Sequence, residues 1–307
     1  MSGVAMRALG TTGLQVSEVG FGALEIGRDW AADVNADPRH LRFEEAERLL
    51  HGVLDAGVNF VDTAPAYGLS EEYIGRALAG RRGEVVLATK VGECWDPAGG
   101  SVYDYSAEGV RASIERSLRL LRTEVIDLVQ IHSASREVLE RGETLGALEE
   151  ARAAGKVRFV GMTGGVAEGV RALELGGYDT VQVPYNLLNL GAEERLLPLA
   201  RERGAGVIVM RPLAGGKLSG KFERLEKPAA REAVASLVGF TEGGRAEELA
   251  GLALRYVLGA REVSTVIAGT RRLEAVQANV AAAARGLEPG ARQRLRAHAA
   301  GLSAGVW

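Results

Sequence analysis

The chain reads as an α/β protein: a closed barrel of eight parallel strands, each followed by a helix. Three observations predict this (β/α)8 fold. Eight short β-branched runs alternate in strict order with longer amphipathic segments. The runs are largely apolar, with no strict alternation, as expected of parallel strands covered by helices. A chain of 307 residues has room for such a barrel, which takes ~250 residues. The rival is an open doubly wound sheet, which carries G-x-G-x-x-G after its first strand. Here that stretch is VGFGALEIGR. Gly20 and Gly22 fit the first two places, but Glu25 holds the third, so the fingerprint fails.

Taken in order, Met6–Leu9 and Leu14–Ser17 flank GTTG and predict a small N-terminal β-hairpin capping the barrel floor. Strands are expected at Val19–Gly22, Val58–Asp62, Val85–Lys90, Ile126–His132, Val157–Thr163, Thr180–Pro184, Gly206–Arg211 and Ser264–Ile267. Helices are expected at Phe43–Ala56, Glu71–Leu78, Ala107–Leu121, Val138–Ala154, Val166–Leu175, Glu193–Arg203, Glu247–Val257 and Leu273–Ala284. In the first, Phe43, Ala46, Leu49, Leu50, Val53 and Leu54 recur at helical spacing, and Gly57 stops the helix. No linker, low-complexity tract or helical repeat appears, so one domain over residues 1–307 is expected. The longest irregular stretches are Glu25–Leu41, Val91–Ser106 and Leu213–Arg245. All three follow strands, so they form large loops at the C-terminal face, where barrel active sites sit.

Composition excludes several classes. The single cysteine, Cys94, rules out a disulfide framework and a multi-cysteine metal site, and reads as an inert loop thiol. A net charge of −3 without a basic domain argues against a nucleic-acid partner. No apolar run reaches the length of a membrane span. The N-terminus MSGVAMRALGTTG lacks an apolar signal core, so a cytoplasmic protein is expected. Nothing in the sequence specifies an oligomeric state.

Polar residues at strand C-terminal ends line one mouth, and three consecutive strands supply them. Asp62 ends the second strand, Lys90 the third and His132 the fourth, while Tyr67 lies on the loop after Asp62. A phenol is a poor acid at neutral pH. A nearby ammonium lowers its pKa, and a carboxylate holds that ammonium charged. A histidine can hydrogen-bond a carbonyl oxygen. Such a set donates a proton to oxygen as hydride reaches carbon, and the hydride has to come from a cofactor. A metal hydrolase is disfavoured and no metal site is expected. His132 has no second histidine at the mouth; His40, His51 and His298 fall in loops or helices.

DTAPAYG with SEEYIGRAL, then ATK, then DLVQIH, resembles the aldo-keto reductases. The resemblance runs from RALGTTGLQVSEVGFGALEIG to VIAGTRRLEAVQANV. It implies an NAD(P)H-dependent oxidoreductase on a TIM barrel, reducing a small aldehyde or ketone or running the reverse alcohol oxidation. Tyr67 is implied as general acid, tuned by Lys90 and Asp62, with a neutral His132 orienting the carbonyl.

The implied cofactor contacts begin with Gly22 and Ala23 after the first strand. Gln182 in VQVPYN and Thr163 in GMTGG read the nicotinamide carboxamide, although Gly164 replaces the usual asparagine. Met210 stands where an aromatic residue usually stacks on the ring, a contact a thioether can replace. Arg211, Pro212, Leu213 and Gly215 belong to the pyrophosphate loop. Gly269, Thr270, Arg271 and Asn279 match the adenosine end, with Ala268 in place of proline and Ala278 in place of an acidic residue. A guanidinium at Arg271 suits a 2′-phosphate, so NADPH (NADP+) is implied, with NADH the other nicotinamide donor.

Leu24, Trp30 and Trp95 are expected to line the substrate pocket. The wording GFGALEIGR, GMTGG and MRPLAGG lies nearer the branch with sugar and pyridoxal dehydrogenases. An oxidative NAD(P)-dependent sugar or alcohol dehydrogenase is therefore one alternative. A nicotinamide-binding regulatory subunit is another.

Overall fold

The computed structural model describes residues 4–28, 41–96, 98 and 100–302. Eight parallel strands close into a ring in chain order. They are β1 (Val19–Gly22), β2 (Phe60–Asp62), β3 (Val86–Val91), β4 (Ile126–Ile131), β5 (Val157–Thr163), β6 (Thr180–Pro184), β7 (Gly206–Met210) and β8 (Val263–Gly269). The outer helices are α1 (Phe43–Asp55), α2 (Ser70–Ala77), α3 (Ala107–Leu120), α4 (Glu143–Ala153), α5 (Val166–Leu175), α6 (Leu196–Arg203), α7 (Leu249–Leu258) and α8 (Leu273–Ala284). None of the described helices is long and apolar enough to cross a membrane.

Three expectations are corrected. The single helix expected over Val138–Ala154 is broken at Gly142, which adopts a left-handed φ of 71°, so a short helix Arg136–Arg141 precedes α4. The irregular stretch Val91–Ser106 contains an antiparallel hairpin, Glu93–Asp96 with Gly100–Tyr103. The stretch Leu213–Arg245 contains a helix, Pro228–Val238, started by proline at a first-turn position where no N–H is needed. A further helix, Ala291–Ala300, lies beyond α8. Its Arg292 and Arg296 donate to Glu193 at 2.9 and 2.5 Å, and Tyr256 of α7 donates to the same carboxylate.

The N-terminal hairpin forms as expected, Met6–Ala8 against Gln15–Ser17. Leu9, Leu14 and Val16 pack beneath Phe60, Val86, Ala88, Leu128 and Ile208 and close the floor with an apolar plug. Side chains two apart on a strand share a face. The residues two places above the plug therefore also point inward: Asp62, Lys90, Gln130 and Met210. A layer of polar groups thus sits directly on an apolar one, near the C-terminal ends of the strands. The outer faces of the strands and the inner faces of the helices form the main core, including Leu50, Ile74, Ile114, Val129, Val160 and Val209.

Helix α2 is held tightly against the end of α3. A Cβ on Gly75 would lie 2.0 Å from the Leu120 backbone oxygen. Backbone on both sides cannot yield, so Gly75→Ala is expected to destabilise the fold by about 1–3 kcal/mol. Gly80→Ala, with no atom within 4 Å, is the control. Urea unfolding of the two variants checks this, and equal midpoints would refute it.

Candidate active site

The site is built around a buried ion pair. Lys90 Nζ donates to Asp62 Oδ2 at 2.7 Å and to the Thr63 carbonyl at 2.9 Å, with both charged side chains 1% exposed. The other carboxylate oxygen of Asp62 accepts from Gln130 Nε2 at 3.1 Å. Burial pushes the Asp62 carboxyl up, opposed by Lys90 and by hydrogen bonds from Gln182 and Gln130. Burial alone would lower the Lys90 ammonium, but Asp62 and Tyr67 outweigh it and hold it above the usual lysine value.

Tyr67 sits above this pair. It ends a 3-10 turn, Pro65–Tyr67, entered from extended Ala64 with proline at the start. The turn is packed against Gly27, where a Cβ would come 2.2 Å from the Tyr67 carbonyl. Lys90 Nζ lies 4.8 Å from the centre of the phenol ring. A lysine beside a phenol is expected to lower its pKa. Lys90 does act in that direction, but burial is the larger effect and Asp62 adds to it, so the phenol is raised and stays protonated. That is the form a general acid needs.

His132 follows β4 and meets Tyr67 edge to face, with ring centres 5.8 Å apart. Its backbone is fixed by Val91, and its carbonyl by the Tyr105 hydroxyl at 2.7 Å. Burial, then Lys90 and Arg28, push its pKa down to about 3, so the ring is neutral. Its Nδ1 lies 3.1 Å from Glu93 Oε2, close but off the line of a hydrogen bond. Asp62, Tyr67, Lys90 and His132 therefore share one mouth.

Three residues here escaped the sequence reading. Gln130 sits at the same strand parity as Leu128 and His132, and that parity in IDLVQIH was the signal for it. Glu93 is hidden in the sequence because its hairpin has no strand pattern there; it also accepts from Ser101 and Ser133. Arg28 lies over the Trp95 ring at 3.6 Å and donates to the Ala66 carbonyl beside Tyr67. Trp95 is thus a mouth residue, and Leu24 is half-buried on a one-turn helix after β1. Trp30 lies outside the described residues.

Apart from Asn279 on α8, the residues expected to hold a cofactor follow or end β1 and β5–β8, at the C-terminal face. Ala23 N–H donates to the Asp62 carbonyl and Gly22 is paired with Asp62. Thr163 and Gln182 are register partners on β5 and β6, both buried. Thr163 Oγ1 lies 3.8 Å from Met210 Sδ. After β7 the backbone turns left-handed at Arg211 (φ 54°) and again at Ala214, Gly215 and Gly216. Asn186 Nδ2 supports this bend by donating to the Arg211 carbonyl at 2.9 Å.

Pro212 is buried, Leu213 half-buried and Gly215 exposed. A Cβ on Gly215 would meet nothing within 4 Å, so the loop borders open space. Successive turns of this kind gather backbone N–H groups into an anion-binding concavity, which fits a pyrophosphate. At the end of β8, Gly269 is exposed and Thr270 accepts from the Arg272 N–H, while Asn279 lies half-buried on α8. Arg271 Nε donates to the Glu25 carbonyl at 3.0 Å, tying β8 to the turn after β1.

Comparison with known proteins shows the family and the fold. The model of the Aldo/keto reductase family matches residues 18–300. L-galactose dehydrogenase of Arabidopsis thaliana is 34% identical over 303 residues, 92% of this chain and 89% of that protein. The NADH-specific methylglyoxal reductase of Escherichia coli is 30% identical over 306 residues, 89% of this chain and 92% of that one. The holo form of an aldo-keto reductase from Bacillus halodurans superposes with a TM-score of 0.82 at 32% identity, covering 99% of this chain and 98% of that one.

The ion pair makes a thermodynamic prediction. Removing one partner strands a buried charge, so Asp62→Leu or Lys90→Met alone is expected to cost about 3–5 kcal/mol. The double variant is expected to cost much less than their sum. Urea unfolding of the four proteins checks this, and additive losses would show that the two charges are not coupled.

Proposed function

The chain belongs to the aldo/keto reductase family and is an oxidoreductase acting on a small molecule, and from that premise we propose that it reduces a small aldehyde or ketone to the alcohol with NADPH. The observation that carries this reading is the buried Lys90–Asp62 pair beneath a protonated Tyr67, at a mouth shared with neutral His132. A bound nicotinamide dinucleotide supplies the hydride that the carbonyl carbon accepts. Tyr67 gives its proton to the carbonyl oxygen. The ammonium of Lys90 stabilises the phenolate left behind, and Asp62 keeps that ammonium charged. His132 and Tyr67 orient the carbonyl oxygen between them.

The dinucleotide is assigned to the face described above. Gln182 and Thr163 meet the carboxamide, with Met210 beside the ring. Arg211 to Gly215 take the pyrophosphate, next to Gly22 and Ala23. Gly269, Thr270, Arg271 and Asn279 take the adenosine end. Arg271 is the reason for choosing NADPH, because a guanidinium matches a phosphate through paired hydrogen bonds. Leu24, Trp95 and Arg28 form the substrate wall.

A second reading is oxidation of a sugar hydroxyl through the same groups in reverse. It is favoured by the Arabidopsis relative, which is named for that activity. The intact set of four groups counts against a subunit that only binds the dinucleotide.

Two outcomes are expected. Tyr67→Phe should lower turnover on a carbonyl panel by about 10²-fold or more while NADPH still binds. Turnover within a few-fold of the parent would remove Tyr67 from the acid role. Arg271→Ala should weaken NADPH about tenfold, the loss of one charge-assisted contact, and leave NADH unchanged. Calorimetric titration of both cofactors checks this, and equal losses would remove Arg271 from phosphate recognition.

A further inference from the structure

We infer that Gln130 is a positioning residue, which carries the hydrogen-bond polarity of Asp62 across the barrel to Gln182 and so sets which end of the Gln182 amide is free to meet the nicotinamide. This rests on the cofactor reading above and adds a residue to it. Gln130 is fully buried on β4, between the apolar plug and the mouth. One nitrogen serves two acceptors: Nε2 donates to Asp62 Oδ1 at 3.1 Å and to Gln182 Oε1 at 2.9 Å. Both amide hydrogens are thereby used.

The orientation follows from chemistry. An ionised carboxylate only accepts, so the group facing Asp62 has to be the Gln130 nitrogen. The same nitrogen lies within hydrogen-bond reach of Gln182, so Gln182 has to offer its oxygen there. Its own NH2 then carries the donors: one hydrogen is directed at the Asp62 carboxylate, and the other is left to donate to a carboxamide carbonyl. The arrangement is held against a penalty, because Gln130 Oε1 is buried without a partner. Space for it comes from Gly161, the register partner of Gln130. A Cβ there would sit 3.1 Å from Gln130 Cγ and 2.2 Å from Thr180 Oγ1.

The test compares NADPH with 2′-phospho-ADP-ribose, the same molecule without its nicotinamide, by calorimetric titration. The proteins are the parent, Gln130→Met, which keeps the volume but has no donor, and Gln130→Asn, which keeps an amide too short to span both acceptors. Either variant that folds suffices. Each is expected to lose about tenfold in NADPH affinity, as for a disordered buried hydrogen bond. Affinity for 2′-phospho-ADP-ribose should be unchanged. Unchanged NADPH affinity would overturn the inference. So would parallel loss of both ligands, which marks a merely structural role. If the parent itself binds NADPH no better than 2′-phospho-ADP-ribose, the assignment of Gln182 to the nicotinamide falls, and this inference with it.

Discussion

The upper half of the barrel is organised by one requirement: an ammonium and a carboxylate have to remain ionised where water does not reach. Removing each ion from water costs several kcal/mol, and their attraction offsets that only with good geometry and satisfied lone pairs. Three neighbouring strands meet those terms. Asp62 on β2 places Oδ2 2.7 Å from Lys90 on β3, the Thr63 carbonyl takes a second Lys90 hydrogen, and Gln130 on β4 covers Oδ1. Removing any of these leaves a buried charge short of a partner. In the proposed reaction the pair also governs the chemistry above it, because the charge on Lys90 is what a phenolate at Tyr67 would lean on.

Closure of the sheet makes the arrangement affordable. The floor is sealed by the N-terminal hairpin and the layer through Phe60, Ala88, Leu128 and Ile208, so the polar layer rests on close-packed hydrocarbon. Strand parity then decides the contents of that layer: the side chain two residues above each plug residue has to point into the barrel. The polar layer is therefore a continuation of the core.

Much of this was legible in the sequence. The eight strands appear where the β-branched runs placed them, with ends shifted by a few residues, as at Phe60–Asp62 for Val58–Asp62. The catalytic candidates were legible because each ends a strand or follows one. The hairpin from Glu93 was not, because ECWD and GSVY are too short and too polar to read as strands without a surface to pack on. Gly142 reads as helix because its neighbours are good helix formers. The net direction of the Tyr67 pKa was also beyond reach, since it is a contest between burial and the Lys90 charge and burial is not a property of a motif.

By itself, the sequence determined the barrel, the face that carries the candidate site and the four groups proposed for it. Periodicity and strand-end position are local properties, and they survive without knowledge of distant contacts. Only the tertiary structure decided which of those groups touch, and what joins them. Asp62, Gln130 and Gln182 are far apart along the chain, and one amide nitrogen links them because three strands bring them to one level of a closed ring. Glu93 reaches His132, and Arg28 lies on Trp95, for the same reason. Hydrogen-bond polarity, burial and proton affinity are set by neighbours in space, and the ring closure supplies those neighbours.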